Sequence, residues 1–252
     1  MAKPVFYNFP VSHFCEKAQW ALDHHGGDYE TVNWVPGFHV LGTKRLGLQK
    51  TWVPILRKSD SKILQGSGAI IDVLDMERPD HSLTPADPAL AARCAELEVE
   101  IDKQLGEGLR RIAYAALLEH PELTVKIWTH GISTAAVPAL RVLWPVMSHK
   151  LKKSYRLTPE RVERSHLEVD ALLDRLDARV STHEYLVGDR FSRADLAAAA
   201  LFSSVLDPPE RPWRMPVEMP ADLDAIIEPY RDRPFWGWAT RMYQKHRAPF
   251  RG

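Results

Sequence analysis

The chain has few cysteines and no net charge, and each of these features excludes a class of protein. Cys15 and Cys94 are the only cysteines among 252 residues, too few for a disulfide framework. Lys and Arg number 33, as do Asp and Glu, so no net field draws the chain to nucleic acid or to an anionic membrane. We therefore expect its partners to be small molecules or other proteins.

The sequence also lacks long hydrophobic runs, targeting signals and metal-binding patterns. Its most apolar stretch, residues 132–147, contains Arg141 and two prolines and falls short of the roughly 20 residues that a bilayer requires, so it predicts a soluble helix. With no secretion signal at the N-terminus, we expect a cytoplasmic protein. The histidines lack zinc-ligand spacing and no glycine-rich phosphate loop is present, so we expect no metal.

The first 79 residues alternate between strand-like and helix-like segments. Apolar and β-branched residues predict short strands over residues 4–9, 29–35, 52–56 and 61–65. Amphipathic segments predict helices over residues 12–25 and 68–77. This order is typical of an α/β domain with a mixed sheet.

The rest of the chain is predicted to be helical. Residues 80–88, rich in Pro, Asp and Ser, predict a linker to a helical domain over residues 89–252. One long helix is predicted by apolar residues that recur every three or four positions: Leu90, Cys94, Leu97, Ile101, Leu105, Leu109 and Ile112. Further helices are predicted from Thr158-Pro159 and over residues 235–246, and the five prolines of residues 208–220 predict an extended connection.

Residues 191–200 contain the signature of a capped helix. Ser192 is expected to be the N-cap, with Asp195 accepting a hydrogen bond from the Ser192 N–H. Phe191 and Leu196 are spaced to pack together as a hydrophobic staple. This pattern predicts a folding feature rather than a functional site.

Four short motifs in this chain resemble those of the glutathione S-transferase superfamily. They are Ser12-His13-Phe14-Cys15 at a helix start, residues 52–56 around Pro54, residues 64–70 around Ser67, and the Ser192–Asp195 capping box. Their order and spacing extend over nearly the whole chain. The resemblance implies a thioredoxin-like domain with a mixed four-stranded sheet over residues 1–79, followed by an all-helical domain. It also implies a homodimer that uses glutathione as cosubstrate in detoxification.

Ser12 and Cys15 are the two candidate catalytic residues. Ser12 is a preferred helix N-cap, and the resemblance implies that its hydroxyl also hydrogen-bonds the sulfur of glutathione and stabilises the thiolate. These two roles are expected to compete for one oxygen. Cys15 shares an apolar stripe with Ala18 and Leu22, which predicts a buried structural thiol. An exposed Cys15 would instead form a mixed disulfide with glutathione.

The resemblance implies a glutathione-binding surface assembled from distant segments: Phe14, Trp52, Val53, Pro54, Gln65, Gly66 and Ser67. A cis bond before Pro54 would turn the Val53 backbone toward the cysteinyl part of glutathione. Ser67, at a helix start, would hold the γ-glutamyl carboxylate. The family places an acidic residue or Gln at the position of Gly66, so one contact to the ligand's ammonium group is missing unless Gln65 supplies it.

The electrophilic substrate is expected to bind between the two domains. Five residues are candidates to line this site because of the regions in which they lie: His39, Tyr114, Trp128, Arg110 and Arg141. The leading hypothesis is a glutathione S-transferase-like enzyme that activates the glutathione thiol for attack on a hydrophobic electrophile. One alternative is a non-catalytic binding or scaffold protein of the same fold, as Gly66 indicates. The other is a glutaredoxin-like thiol transferase that uses Cys15.

Overall fold

A computed structural model describes residues 2–132 and 134–247 of the chain. The N-terminal part contains four strands: β1 (Val5–Asn8), β2 (Glu30–Asn33), β3 (Ile55–Arg57) and β4 (Ile63–Gln65). Its helices are α1 (His13–His24), α2 (His39–Arg45) and α3 (Ser67–Glu77), followed by a 3₁₀ turn at Pro79–His81.

The four strands form one mixed sheet in the order β2-β1-β3-β4. β1 runs parallel to β2 and antiparallel to β3, with Tyr7 opposite Ile55, and β3 runs antiparallel to β4. The predicted sheet is therefore confirmed. The strand expected over residues 52–56 begins only at Ile55, because Pro54 has no N–H to give to a ladder.

Helices make up most of the C-terminal part. They are α4 (Pro88–Ile101), α5 (Glu107–Leu117), α6 (Pro121–Thr129), α7 (Val137–Ser154), α8 (Pro159–Val180), α9 (Arg193–Leu206), α10 (Ala221–Arg231) and α11 (Pro234–His246). The apolar stretch 132–147 forms a helix from Val137 onward, and Ser133 within it lies outside the described residues. In the described part of the chain, no helix is both long and apolar enough to cross a bilayer.

The single long helix expected over residues 90–112 is two helices joined by a π-helical turn, Asp102–Gly106. The predicted apolar stripe nevertheless faces the core, where Ile101 and Leu105 are fully buried. At the turn the backbone approaches α1 closely, since a Cβ on Gly106 would lie 2.7 Å from the Phe14 ring. Because the apolar residues keep the same spacing across the π turn, the sequence pattern does not show that the helix is interrupted there.

Helix α1 is buried on both sides. Cys15 and Ala18 pack in the core of the sheet, whereas Trp20 packs in the core of the helical part. Two charged residues of α1 are buried with it and have partners. Lys17 Nζ lies 2.8 Å from Glu98 Oε1, and Glu16 Oε1 lies 2.9 Å from the Arg247 Nε. Pairing offsets the desolvation that these charges suffer.

The predicted capping box is present at the start of α9. Asp195, which is fully buried, accepts hydrogen bonds from the Ser192 N–H at 2.9 Å and the Ser192 hydroxyl at 2.7 Å. It also accepts one from the Leu186 N–H at 2.7 Å. The carboxylate therefore ties the preceding loop to α9 as well as capping the helix.

Replacing Asp195 is expected to destabilise the whole fold. Asp195→Ala leaves three buried donors without their acceptor, which predicts a loss of about 3 kcal/mol in the free energy of unfolding. Asp189→Ala, at an exposed position of the same loop, is the control and is expected to change stability by less than about 0.5 kcal/mol. Urea unfolding followed by circular dichroism measures both. Equal stability of the two variants would contradict the role assigned to Asp195.

Candidate functional site

Three segments meet at one edge of the sheet. Because Tyr7 lies opposite Ile55 in the antiparallel pair, continuing that register places Phe9, just before the α1 turn, opposite Val53. The Gly66 N–H donates to the Pro54 carbonyl at 2.9 Å, which joins the start of α3 to the same place. The sheet thus brings the Ser12 turn, Val53-Pro54 and the α3 N-terminus together.

Ser12 is the N-cap of α1 and is half-buried. Its hydroxyl oxygen accepts a hydrogen bond from the Cys15 N–H at 3.4 Å. A hydroxyl has one donor and two acceptor lone pairs, so capping leaves the O–H of Ser12 available to a ligand. The competition expected from the sequence therefore does not arise, and capping and sulfur binding are compatible.

Cys15 lies on the inner side of the same turn. Its side chain is fully buried, and its sulfur accepts a hydrogen bond from the Phe9 N–H at 3.4 Å. Burial raises the pKa of the thiol to about 12. A thiol that is neither exposed nor ionised is a poor nucleophile, so these observations favour the structural interpretation of Cys15.

Val53 precedes a cis peptide bond to Pro54. Within the described residues, no hydrogen bond uses the backbone N–H or C=O of Val53. The loop before it is held by Gln65, whose Nε2 donates to the Trp52 carbonyl at 2.8 Å and to the Lys50 carbonyl at 3.0 Å. The Gln65 amide nitrogen is thus occupied, while its oxygen remains an acceptor.

Gly66 and Ser67 form the start of α3. Gly66 has a φ of 102°, a region that side-chain-bearing residues rarely adopt. A Cβ there would lie 3.0 Å from the indole ring of Trp52. In this chain, a side chain at position 66 would therefore be strained. Ser67 is 6% exposed, and the first N–H groups of α3 are free of intrahelical partners, as at any helix start.

His13 and Phe14 face the helical part of the molecule. His13 Nε2 lies 3.1 Å from the Gly106 carbonyl, and burial lowers the His13 pKa to about 3, so the neutral ring donates this bond. The Phe14 ring packs against Gly106 and lies 5.3 Å from the Arg110 guanidinium carbon. This placement does not support the prediction that the Phe14 side chain binds glutathione.

Two guanidinium groups lie close to the Ser12 turn. Arg211 is 3% exposed, and its Nη2 donates to the Pro10 carbonyl at 2.9 Å. Arg110 lies between the rings of Phe14 and Tyr155. Among the described residues neither arginine has a carboxylate within ion-pair distance, and the Nε of each lacks a hydrogen-bond partner. Their charge is therefore not neutralised by direct pairing, and both lower the pKa of His13.

Two family models match the two parts of the chain. Residues 6–82 match the glutathione S-transferase N-terminal domain, and residues 138–212 match the glutathione S-transferase C-terminal domain. Together these matches cover more than half of the sequence. The chain belongs to the glutathione S-transferase superfamily. Ser12, Val53-Pro54 and the start of α3 all lie within the residues that match the N-terminal domain.

Solved structures share the fold at low sequence identity. A glutathione S-transferase of Ceriporiopsis subvermispora in complex with glutathione is 16% identical, with a TM-score of 0.65 and 100% of each chain covered. The β-etherase LigF of Sphingobium sp. strain SYK-6 is 20% identical, with a TM-score of 0.63 and coverage of 97% of this chain and 99% of that one.

A glutathione S-transferase of Methylobacillus flagellatus KT with glutathione bound is 17% identical, with a TM-score of 0.61 and coverage of 98% and 100%. No curated protein matches this chain significantly in sequence. At these identities the likeness shows the transferase fold alone.

Three of the predicted acceptor residues of this superfamily member pack with residues next to the Ser12 turn. His39 packs edge-on against Phe9 at 4.7 Å, and burial lowers its pKa to about 4. Tyr114 and Trp128 pack in an apolar cluster with Val11, and burial raises the pKa of the Tyr114 phenol. Arg141 instead lies on the surface, where its Nε is 2.9 Å from Glu122 Oε2.

Sequence reasoning missed Arg211 and the π turn as parts of this site. Arg211 belongs to the proline-rich segment 208–220, which connects α9 to α10 without helix or strand of its own, and no local pattern places it beside Pro10. It reaches the turn across 201 positions of sequence. The sequence indicated Arg110 only because it lies in the region expected to line the acceptor pocket. No pattern predicts that its guanidinium group stacks on Phe14.

The conformation of Gly66 predicts that this position tolerates only glycine. Gly66→Ala is expected to lower the free energy of unfolding by about 2 kcal/mol because of its positive φ and the nearby Trp52 ring. Gly68→Ala, two residues on, meets no atom within 4 Å and is expected to be neutral or to stabilise by up to about 1 kcal/mol. Thermal unfolding of the two variants measures this. Equal melting temperatures would contradict the geometry given for Gly66.

Proposed function

We propose that this protein is a glutathione transferase in which the Ser12 hydroxyl donates a hydrogen bond to the sulfur of glutathione. The observation that supports this most directly is the geometry of Ser12. Its oxygen caps α1 by accepting from the Cys15 N–H, which leaves the O–H for a ligand. The residue is half-buried at the sheet edge where Val53 and Ser67 also lie.

The segments at this edge offer complementary groups for the cysteinyl and γ-glutamyl parts of glutathione. The backbone N–H and C=O of Val53 pair with the cysteinyl part of glutathione. Ser67 and the first N–H groups of α3 hold the γ-glutamyl carboxylate, as helix N-termini hold anions. The Gln65 side-chain oxygen accepts from the ammonium group, in place of the acidic residue that Gly66 cannot supply.

Positive potential at the turn favours the thiolate form of the bound cosubstrate. The α1 N-terminus contributes its dipole, and Arg110 and Arg211 contribute two charges that no carboxylate of the described residues pairs with. The thiol proton passes to water. The thiolate sulfur then forms a bond to an electrophilic carbon of the second substrate, and the leaving group departs with the electron pair of the bond that breaks.

The second substrate is proposed to be hydrophobic. On the helical side of Ser12, the partly buried Val11 and Tyr114 pack against an apolar cluster that contains the buried Trp128. These side chains bring apolar and aromatic surface close to the sulfur site. A wall of this composition favours an apolar electrophile over a charged one.

Removing the Ser12 hydroxyl is expected to raise the pKa of the bound thiol. A charge-assisted hydrogen bond contributes about 1.5–3 kcal/mol, so Ser12→Ala is expected to lower the conjugation rate at neutral pH by about 10–100-fold. The rate loss is expected to shrink as pH rises and the thiol ionises unaided. The pH dependence of kcat with chlorodinitrobenzene as the electrophile measures this.

Three control variants separate the hydroxyl from the neighbouring thiol and from helix capping. Ser12→Thr keeps a hydroxyl and is expected to retain most of the activity, whereas Cys15→Ala is expected to leave the pH profile unchanged. Ser12→Asp keeps an N-cap but places an anion next to the sulfur, so it is expected to be inactive. If Ser12→Ala kept the wild-type profile, or Cys15→Ala abolished conjugation, Ser12 would not be the activating residue.

A further inference from the structure

The chain's net charge of zero conceals an uneven distribution. Residues 31–59 and 123–159 contain no Asp or Glu, yet together they hold eleven of the 33 Lys and Arg residues. The first stretch includes α2 and the second includes α7. The total charge predicts no attraction to an anionic surface. It is, however, an average over these basic, acid-free stretches and the rest of the chain.

The two acid-free stretches are in contact. A groove between them is lined by Gly37, Phe38, Leu143, Val146, Met147 and Lys150. The approach is close, because a Cβ on Gly37 would lie 2.7 Å from the Met147 methyl carbon. The two segments therefore meet at this groove, and we name the surface formed by residues 37–45 and 142–153 the α2–α7 face.

The α2–α7 face exposes large apolar side chains. Val142, Leu41 and Val146 are 79%, 59% and 55% exposed, and Leu143 and Phe38 are 43% and 38% exposed. On α7, Val142, Leu143 and Val146 follow helical spacing, so they lie on one stripe of the helix. A grouped, exposed apolar stripe indicates an interaction surface rather than ordinary scattered surface residues.

Cations surround this apolar stripe. Lys150 and Lys153 continue it toward the end of α7, and Lys44 and Arg45 lie at the end of α2. In the described ranges none of these four makes an ion pair. Among the residues that the structure describes, the acidic side chains that pair with α7 are Glu122 and Glu119, bound to Arg141 and Lys152. The face therefore keeps an excess of positive charge.

We propose that the α2–α7 face binds the surface of an anionic lipid bilayer. Cations around exposed apolar side chains are the composition of a surface that lies in the headgroup layer, where the apolar groups enter the acyl boundary and the cations meet lipid phosphates. A second copy of the chain docked face to face would place cation on cation. Nucleic acid would leave the apolar stripe without a partner.

Sedimentation with vesicles tests the proposal on the full chain, and it does not depend on the transferase chemistry. The protein is expected to sediment with phosphatidylcholine vesicles that contain about 30% phosphatidylserine, and much less with phosphatidylcholine alone. Each cation near an anionic surface contributes about fivefold to binding. The double variant Lys150→Glu/Lys153→Glu is therefore expected to bind at least about 25-fold more weakly, and added salt to weaken the wild type.

Matched variants outside the face serve as controls. Arg93→Glu/Lys103→Glu changes the net charge equally at exposed positions and is expected to bind vesicles as the wild type does. Val142→Ser/Val146→Ser is expected to lose about tenfold, whereas Val99→Ser, at a position 67% exposed on α4, loses nothing. Circular dichroism confirms that each variant is folded.

Four results would overturn the proposal. They are absence of binding to the anionic vesicles, equal binding to phosphatidylcholine alone, equal losses in the control variants, and tighter binding to a DNA duplex than to vesicles. Gel filtration adds a fifth: a wild-type oligomer that dissociates in Val142→Ser/Val146→Ser would assign the face to self-association instead.

Discussion

Burial of α1 on both sides is the constraint on which the site depends. Its Cys15 side packs into the sheet core and its Trp20 side packs into the helical core. The helix therefore cannot shift without disturbing both domains. Charged residues such as Lys17 are accommodated there only with partners from the helical part, because an unpaired buried charge is costly. The position of the Ser12 hydroxyl follows from this double packing.

Features that depend on local spacing could be predicted from the sequence. The Ser192–Asp195 capping box and the inward orientation of Cys15 both follow from residues a few positions apart. The mixed sheet followed from the order of elements and from the family resemblance. Helices α6 and α10 were not predicted, since both are short and α10 contains Pro229 within it. The intrinsic helix propensity of these two segments argues against helices, and tertiary packing overrides it.

Features that depend on contacts between distant segments could not be predicted. The absence of an acidic side chain before Ser67 is visible in the sequence, but the positive φ of Gly66 and its contact with the Trp52 ring are seen only in the fold. Likewise, nothing in the sequence indicates that the amide nitrogen of Gln65 holds the loop before Val53 and leaves only its oxygen for a ligand. The charge near the sulfur site comes from Arg211, which lies 201 positions from its contact at Pro10. No local pattern contains that information.

The most direct test of the account is calorimetric titration of the wild-type protein with glutathione in two buffers of different ionisation enthalpy. A free thiol has a pKa near 8.5, so it is almost fully protonated at pH 7. If the Ser12 turn lowers this pKa by about two units, binding releases about 0.7 proton per site, and the apparent enthalpy differs between the buffers accordingly. Binding without proton release would contradict thiol activation at Ser12, and no binding at millimolar glutathione would contradict the site itself.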